Sequence, residues 1–114
     1  MKILIILIIA TIILTGCSSK NYDNFTSCLN EKGVTFYGAF WCPHCQNQKK
    51  LFGSSAEILP YVECSTPDGK GQVQACTDKN IKSYPTWEFA DGNRLTGEQS
   101  LETLEKKTGC ELPK

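Results

Sequence analysis

"FYGAFWCPHCQNQKK", residues 36–50, decides how the rest of the chain is read. The run from Val34 to Trp41 is apolar, β-branched and aromatic, the composition of a buried strand. It ends in two cysteines, Cys42 and Cys45, with only Pro43 and His44 between them, and a polar, lysine-containing segment follows. Proline is favoured in the first helical turn, so a helix is expected to open at Pro43. It should run through "QNQKKLFGSSAEIL", although Gly53 and two serines weaken its second half.

Three chemistries compete for the cysteine pair. A zinc site needs four ligands, usually two close cysteine pairs or cysteines with histidines. Here the one histidine, His44, lies inside the motif, and Cys64 and Cys76 are too far apart in sequence to form a second close pair. A purely structural disulfide would close a very small loop and remove little unfolded-state entropy. The redox reading uses every neighbour. The strand brings Cys42 to a helix N-terminus, where unpaired N–H groups and the helix dipole favour an anion, and the thiolate is the attacking species. Pro43 fixes the first turn, and His44 can supply positive charge or hydrogen-bond donors near the Cys42 sulfur. Cys45, one helical turn on, faces inward and can resolve a mixed disulfide. Such chemistry calls for no cofactor, no metal and no second copy, so a monomer is expected.

Working outward, "NFTSCLNEKG" reads as a short helix, with Phe25, Cys28 and Leu29 on one face and Gly33 at its end. "YVEC" is a second short strand, "STPDGKGQ" a loop, and "VQACTDKNI" a short helix. "SYPTWEFA" is a strand beginning at proline, joined through "DGN" to "RLTG" as a hairpin. "SLETLEKKTG" closes the pattern as an amphipathic helix, with Ser100 and Thr103 at its start, Leu101 and Leu104 inward and Gly109 at its stop. The order is one helix, then β-α-β-α-β-β-α. The β-α-β crossover requires a parallel pair and the hairpin adds antiparallel neighbours. An α/β class with the thioredoxin fold is therefore expected.

The stretches "YGAFWCPHC", "LFG", "YVEC" and "YPTWEFADG…GEQSLETL", in this order and spacing, resemble the thioredoxin-like domain attached to many bacterial and plant homologues of vitamin K epoxide reductase (VKOR). The likeness covers roughly residues 24–109, and the membrane reductase segment of those fusions has no counterpart, so a free-standing version is expected. The resemblance implies that Cys42 is the exposed nucleophile and Cys45 its resolving partner. It also implies that Pro85 is a cis-proline facing them, with Tyr84 offering its backbone to an extended client. Trp41 would either shield the pair or touch clients; Trp87 and Phe89 read as core. Ordinary thioredoxins carry a buried acid six positions before the first cysteine, where this chain has Phe36. The Pro43-His44 dipeptide resembles that of strongly oxidising DsbA-type proteins. Donation of the Cys42–Cys45 disulfide to exported cysteine-containing proteins follows as the expectation, with reoxidation by a VKOR-type membrane protein. A reductase or isomerase of the same compartment, or a tethered client-binding module without turnover, are the alternatives.

Ahead of this domain, Met1-Lys2 is followed by "ILIILIIATIIL" and "TGCSS". The apolar run is shorter than the roughly 20 residues of a membrane-spanning helix. A basic start, a short apolar core and small residues at the end describe a secretory signal over residues 1–16. "LTGC", Leu14 to Cys17, resembles the lipobox of bacterial lipoproteins, which implies cleavage after Gly16 and a lipid on Cys17. Residues 17–23 would then be a polar tether reaching at most about 25 Å, holding the domain, residues 24–114, close to a bilayer in the cell envelope.

Without residues 1–16 the chain carries 11 basic and 12 acidic residues, which gives no reason to expect nucleic acid as a partner. Seven cysteines in a chain of 114 residues point to an oxidising compartment. Setting aside Cys17 and the CPHC pair leaves Cys28, Cys64, Cys76 and Cys110, which allow three pairings. The pairing chosen is Cys64–Cys76, bracketing the glycine-rich loop, and Cys28–Cys110, joining the first and last helices.

Overall fold

Four short strands form one sheet: β1 (Thr35–Gly38), β2 (Tyr61–Glu63), β3 (Thr86–Glu88) and β4 (Arg94–Thr96), in the order β2-β1-β3-β4. β1 runs parallel to β2, with Phe36 opposite Tyr61, and antiparallel to β3, with Phe36 opposite Trp87; β3 and β4 form the hairpin. Helices α1 (Asp23–Glu31), α2 (Pro43–Leu51), α3 (Gln74–Asp78) and α4 (Leu101–Thr108) complete the order expected from the sequence. This computed structural model describes residues 21–114, so the signal segment, the LTGC stretch with Cys17, and residues 18–20 of the tether lie outside the described residues. Among the described residues no helix is long and apolar enough to cross a membrane.

The core is aromatic. Phe36 and Trp87 stack with ring centroids 4.7 Å apart, and Tyr61 meets Phe36 edge-on at 5.1 Å. Phe52 and Phe25 continue the stack toward α1, where Leu29 is also buried. Trp87 and Phe89 are core residues as expected, and Leu101 and Leu104 bury the inner face of α4. Ser100 caps that helix by accepting from the Thr103 N–H, and Gly109 ends it at a φ of 77°, a region that only glycine enters without strain.

Two elements beside the cysteine pair are shorter than their composition suggests, as are α3 and β3 further along the chain. β1 stops at Gly38 because the chain must turn before the helix: Cys42 N–H donates to the Ala39 carbonyl, and Phe40 N–H to Glu63 Oε2. The apolar run "AFW" therefore forms a turn, not more strand. α2 stops at Leu51, and after it Gly53, at a φ of 54°, opens a 3-10 turn from Gly53 to Ile58. That residue breaks the helix where the glycine and serines had weakened the reading.

Disulfides join Cys28 to Cys110 and Cys64 to Cys76. The first ties α1 to the second residue after α4; the second ties the residue after β2 to α3.

Candidate active site

β1 and the turn after it deliver Cys42 to the first turn of α2, where it is the N-cap residue. Its backbone is extended, with a φ of −81° and a ψ of 117°, and its sulfur accepts from the Cys45 N–H at 3.3 Å. Pro43 fills the first helical position, where its missing N–H costs nothing. The Cys42 thiol lies 3.8 Å from the Tyr84 carbonyl oxygen, and the Tyr84–Pro85 peptide is cis. The sulfur is thus held between a helix N-terminus and the backbone that precedes β3. Positive partial charge at the helix end stabilises whatever anion forms there.

Cys42 and Cys45 are free thiols, and neither is open to solvent. Cys42 retains 5 % of its surface and Cys45 none. The exposed nucleophile implied by the resemblance is therefore corrected: the helix start and the Tyr84–Pro85 segment close over the Cys42 sulfur. The order of access still holds, with Cys42 the outer member. Burial is also the main reason that the Cys45 thiol is pushed up to about 12, and its hydrogen bond with Cys42 adds to the shift. Lys49, one turn further along α2, opposes it by favouring a negative sulfur.

The neighbours divide by what they touch. Trp41 is 51 % exposed, yet its indole N–H donates to Ser65 Oγ and its ring meets Tyr84 edge-on. It is a fixed, half-open wall beside the pair. His44 does not bond to the Cys42 sulfur. Its side chain is 72 % exposed and its Nδ1 lies 2.9 Å from Glu98 Oε1. A carboxylate can only accept, so Nδ1 carries the proton in that bond. The partner is set by direction: His44 leaves the outer face of α2 toward the loop before α4. The bonds from His44 and, next, Asn47 hold the Glu98 carboxyl below the usual carboxylate range.

Three residues of the surroundings are absent from the sequence reading. Gln48 is fully buried on α2; it accepts from Trp87 Nε1 and Gln99 N–H and donates to the Gln99 carbonyl. Its spacing of three from Cys45 and four before Phe52 put it on the inward face, which was a usable signal. Glu63 Oε2 accepts from both Phe40 N–H and Ser65 N–H, pinning the turn that carries Trp41. Glu98, 54 positions from His44, left no local trace. Among the described residues no cluster of histidine, cysteine and acid could hold a metal. A surface pocket lined by Lys32, Phe89, Asp91 and Lys107 shares no residue with this site.

A helix-capping CPHC pair facing a cis X–Pro peptide on a four-stranded mixed sheet defines a thioredoxin-type protein. The thioredoxin family profile matches residues 15–108, and the chain belongs to that family. The chain is also 47 % identical over 89 residues to the thiol-disulfide oxidoreductase LTO1 of Arabidopsis thaliana. That match takes in 74 % of this chain and 23 % of the plant protein, so the chain spans less than a quarter of the relative's length.

Proposed function

We propose that the protein is a thiol-disulfide oxidoreductase that donates the Cys42–Cys45 disulfide to cysteine-containing proteins outside the cytoplasm. The carrying observation is the Cys42 sulfur at the N-cap of α2, bonded by the Cys45 N–H and faced by the Tyr84 carbonyl. The cap favours the reduced thiolate, and whatever stabilises the reduced form makes the oxidised form the stronger oxidant. In the forward step a client thiolate attacks Cys42 and the Cys42–Cys45 bond breaks, leaving the electron pair on Cys45. A second client thiol then attacks the mixed disulfide and releases Cys42. Tyr84 and Pro85 would line the client backbone, with Trp41 beside it.

Export behind residues 1–16, a lipid on Cys17 and a monomer tethered in the bacterial cell envelope complete the reading, and the two disulfides fit an oxidising compartment. Reoxidation would fall to a VKOR-type membrane oxidoreductase, a proposal supported by the match to one segment of a longer oxidoreductase.

Equilibration with glutathione mixtures tests the direction. A potential well above thioredoxin's, about −270 mV, is expected; a value at or below that would turn the protein into a reductase. Cys42→Ser abolishes exchange, whereas Cys45→Ser cannot form the donated disulfide but keeps a Cys42 thiolate that attacks disulfide substrates and accumulates mixed disulfides, read by mass spectrometry of captured proteins. Client refolding that survives both substitutions would instead indicate a binding module.

A further inference from the structure

Tyr61 carries the one buried side-chain oxygen or nitrogen among the described residues that has no hydrogen-bond partner. An unpaired buried hydroxyl is costly to fold around, and this one is oriented with no protein partner, free to bond a group that gains charge beside it. The place it occupies is beside the inner cysteine. A Cβ built on Gly38 would stand 3.1 Å from Cys45 Sγ, 3.3 Å from the Tyr61 hydroxyl and 2.8 Å from Tyr61 Cε2. Hydroxyl and sulfur thus converge over one glycine, and only the absence of a side chain at residue 38 leaves room for both.

The ring is held rather than loosely placed. Phe36 packs edge-on against it, and Lys49 Nζ stands 3.8 Å above its centroid. The charged and titratable groups around Cys45 come from two elements: Cys42 and Lys49 from α2 and its cap, and Tyr61 from β2, with Glu63 beside the tyrosine. Burial first and the nearby Glu63 carboxylate second push the Tyr61 ionisation upward. The phenol therefore stays protonated and keeps an O–H to donate. By distance and angle the Tyr61 hydroxyl makes no hydrogen bond to Glu63, although that carboxylate lies close by and its Oε2 accepts from Phe40 N–H and Ser65 N–H. At residue 36, where a buried acid would stand in ordinary thioredoxins, there is only a phenyl ring.

We propose that the Tyr61 hydroxyl is a catalytic hydrogen-bond donor to Cys45 that engages when that sulfur carries negative charge. This rests on the reading of Cys45 as the resolving thiol. When a client thiolate forms a bond with Cys42 Sγ, the Cys42–Cys45 bond breaks and its electron pair remains on Cys45. Tyr61 O–H then donates to that sulfur and keeps its own proton; the proton that later neutralises Cys45 comes from solvent. In the reverse step the same bond stabilises the Cys45 thiolate as it attacks the mixed disulfide. A fixed donor aimed at developing charge in a dry site lowers the barrier in both directions, and Lys49 adds to it through the ring.

The test is Tyr61→Phe in the reduced protein, treated with Ellman's disulfide in a stopped-flow instrument. Two thionitrobenzoate ions are released, the first by Cys42 attack and the second by Cys45 resolving the adduct. The first phase is expected to match wild type within about twofold, while the second slows roughly tenfold or more, the range for a bond to a charged group. The second-phase rate should also keep rising to higher pH than in wild type. Thermal stability should be equal or better, since only an unpaired hydroxyl is lost. A second phase within about twofold of wild type and with a superimposable pH profile overturns the proposal. So does a lowered melting temperature accompanying the slow phase, which would assign the hydroxyl to the fold. If wild type itself releases only one ion, as Cys45→Ser must, then the reading of Cys45 fails and takes this one with it.

Discussion

Two neighbouring parallel strands each lead to a cysteine, and the two cysteines have opposite fates. β1 leads through a turn to Cys42, which caps a nine-residue helix and is left as a thiol. β2 leads directly to Cys64, which is bonded to Cys76 within a helix of only five residues and is wholly buried. Both pairs are covered by protein, so burial alone does not separate a working cysteine from a structural one. What differs is the backbone around the sulfur. Cys42 has a helix N–H donating to it and a carbonyl across from it. The Cys64 sulfur has the Val62 carbonyl 3.9 Å away and no N–H donor, so nothing there favours a thiolate.

The sharpest way to break this comparison is to remove the staples and watch the exchange. Replacing Cys28 and Cys110 together by serine opens a loop with a sequence separation of 82 residues. On the loop-entropy account this should cost about 4.5 kcal/mol in urea unfolding. The same change at Cys64 and Cys76, whose separation is 12, should cost about 3 kcal/mol. Neither should remove thiol exchange below the unfolding midpoint; loss of exchange in the folded Cys64/Cys76 variant would place that pair in the electron path.

Gly38→Ala strikes at the working side instead. Its new methyl would stand 2.8 Å from Tyr61 Cε2 and 3.1 Å from Cys45 Sγ, so the Tyr61 ring or the β1 backbone must move and the sulfur must give a little. Overpacking of this kind costs about 1–3 kcal/mol, and both stability and the rate of resolution by Cys45 should fall. A variant with unchanged stability would show that the space above residue 38 is freely adjustable.

Alkaline pH offers a subtler separation. Cys45 has a folded-state value raised from 9.0 to about 12 by burial first. A raised value means that stability is whole below the unfolded value and lost as pH climbs through the folded one. The reduced protein should therefore lose stability from about pH 9 to about pH 12, with the upward-shifted Tyr61 acting in the same sense. The oxidised protein lacks the Cys45 contribution and should fall less. Denaturation curves of the two forms with equal pH slopes would contradict this.

The smallest effect is expected at the rim. Glu98→Gln removes an exposed partner of His44, and exposed pairs of this kind contribute little. The urea midpoint should hardly move and Cys42 alkylation should change by less than about threefold, because the charge concerned is exposed and screened. A change near tenfold would mean that His44 acts on the sulfur through its tie to Glu98.

The legible parts of this molecule were those with a local cause. Pro43 after Cys42 fixed where α2 opens, Gly53 where it fails, and the alternation of elements gave a parallel pair followed by a hairpin. The supports of the site were illegible for the opposite reason. Glu98 reaches His44 from 54 positions away, and Glu63 holds Phe40 from 23, so their roles exist only once the sheet has brought them together. Gln48 lies between these cases: its inward phase on the helix was visible, but its partners Trp87 and Gln99 were not. The near-complete covering of Cys42 belongs to the same class, since Tyr84 arrives from 42 residues downstream.

The Cys28–Cys110 bond makes most of the domain a closed ring. Residues 28–110 lie within it. A protease that nicks the ring once produces no fragments, only a linearised molecule whose ends remain covalently joined. A nick in the exposed glycine-rich loop, residues 66–71, is bridged a second time by Cys64–Cys76. A nick there leaves edges held by two bonds, and it would show on a gel only after reduction.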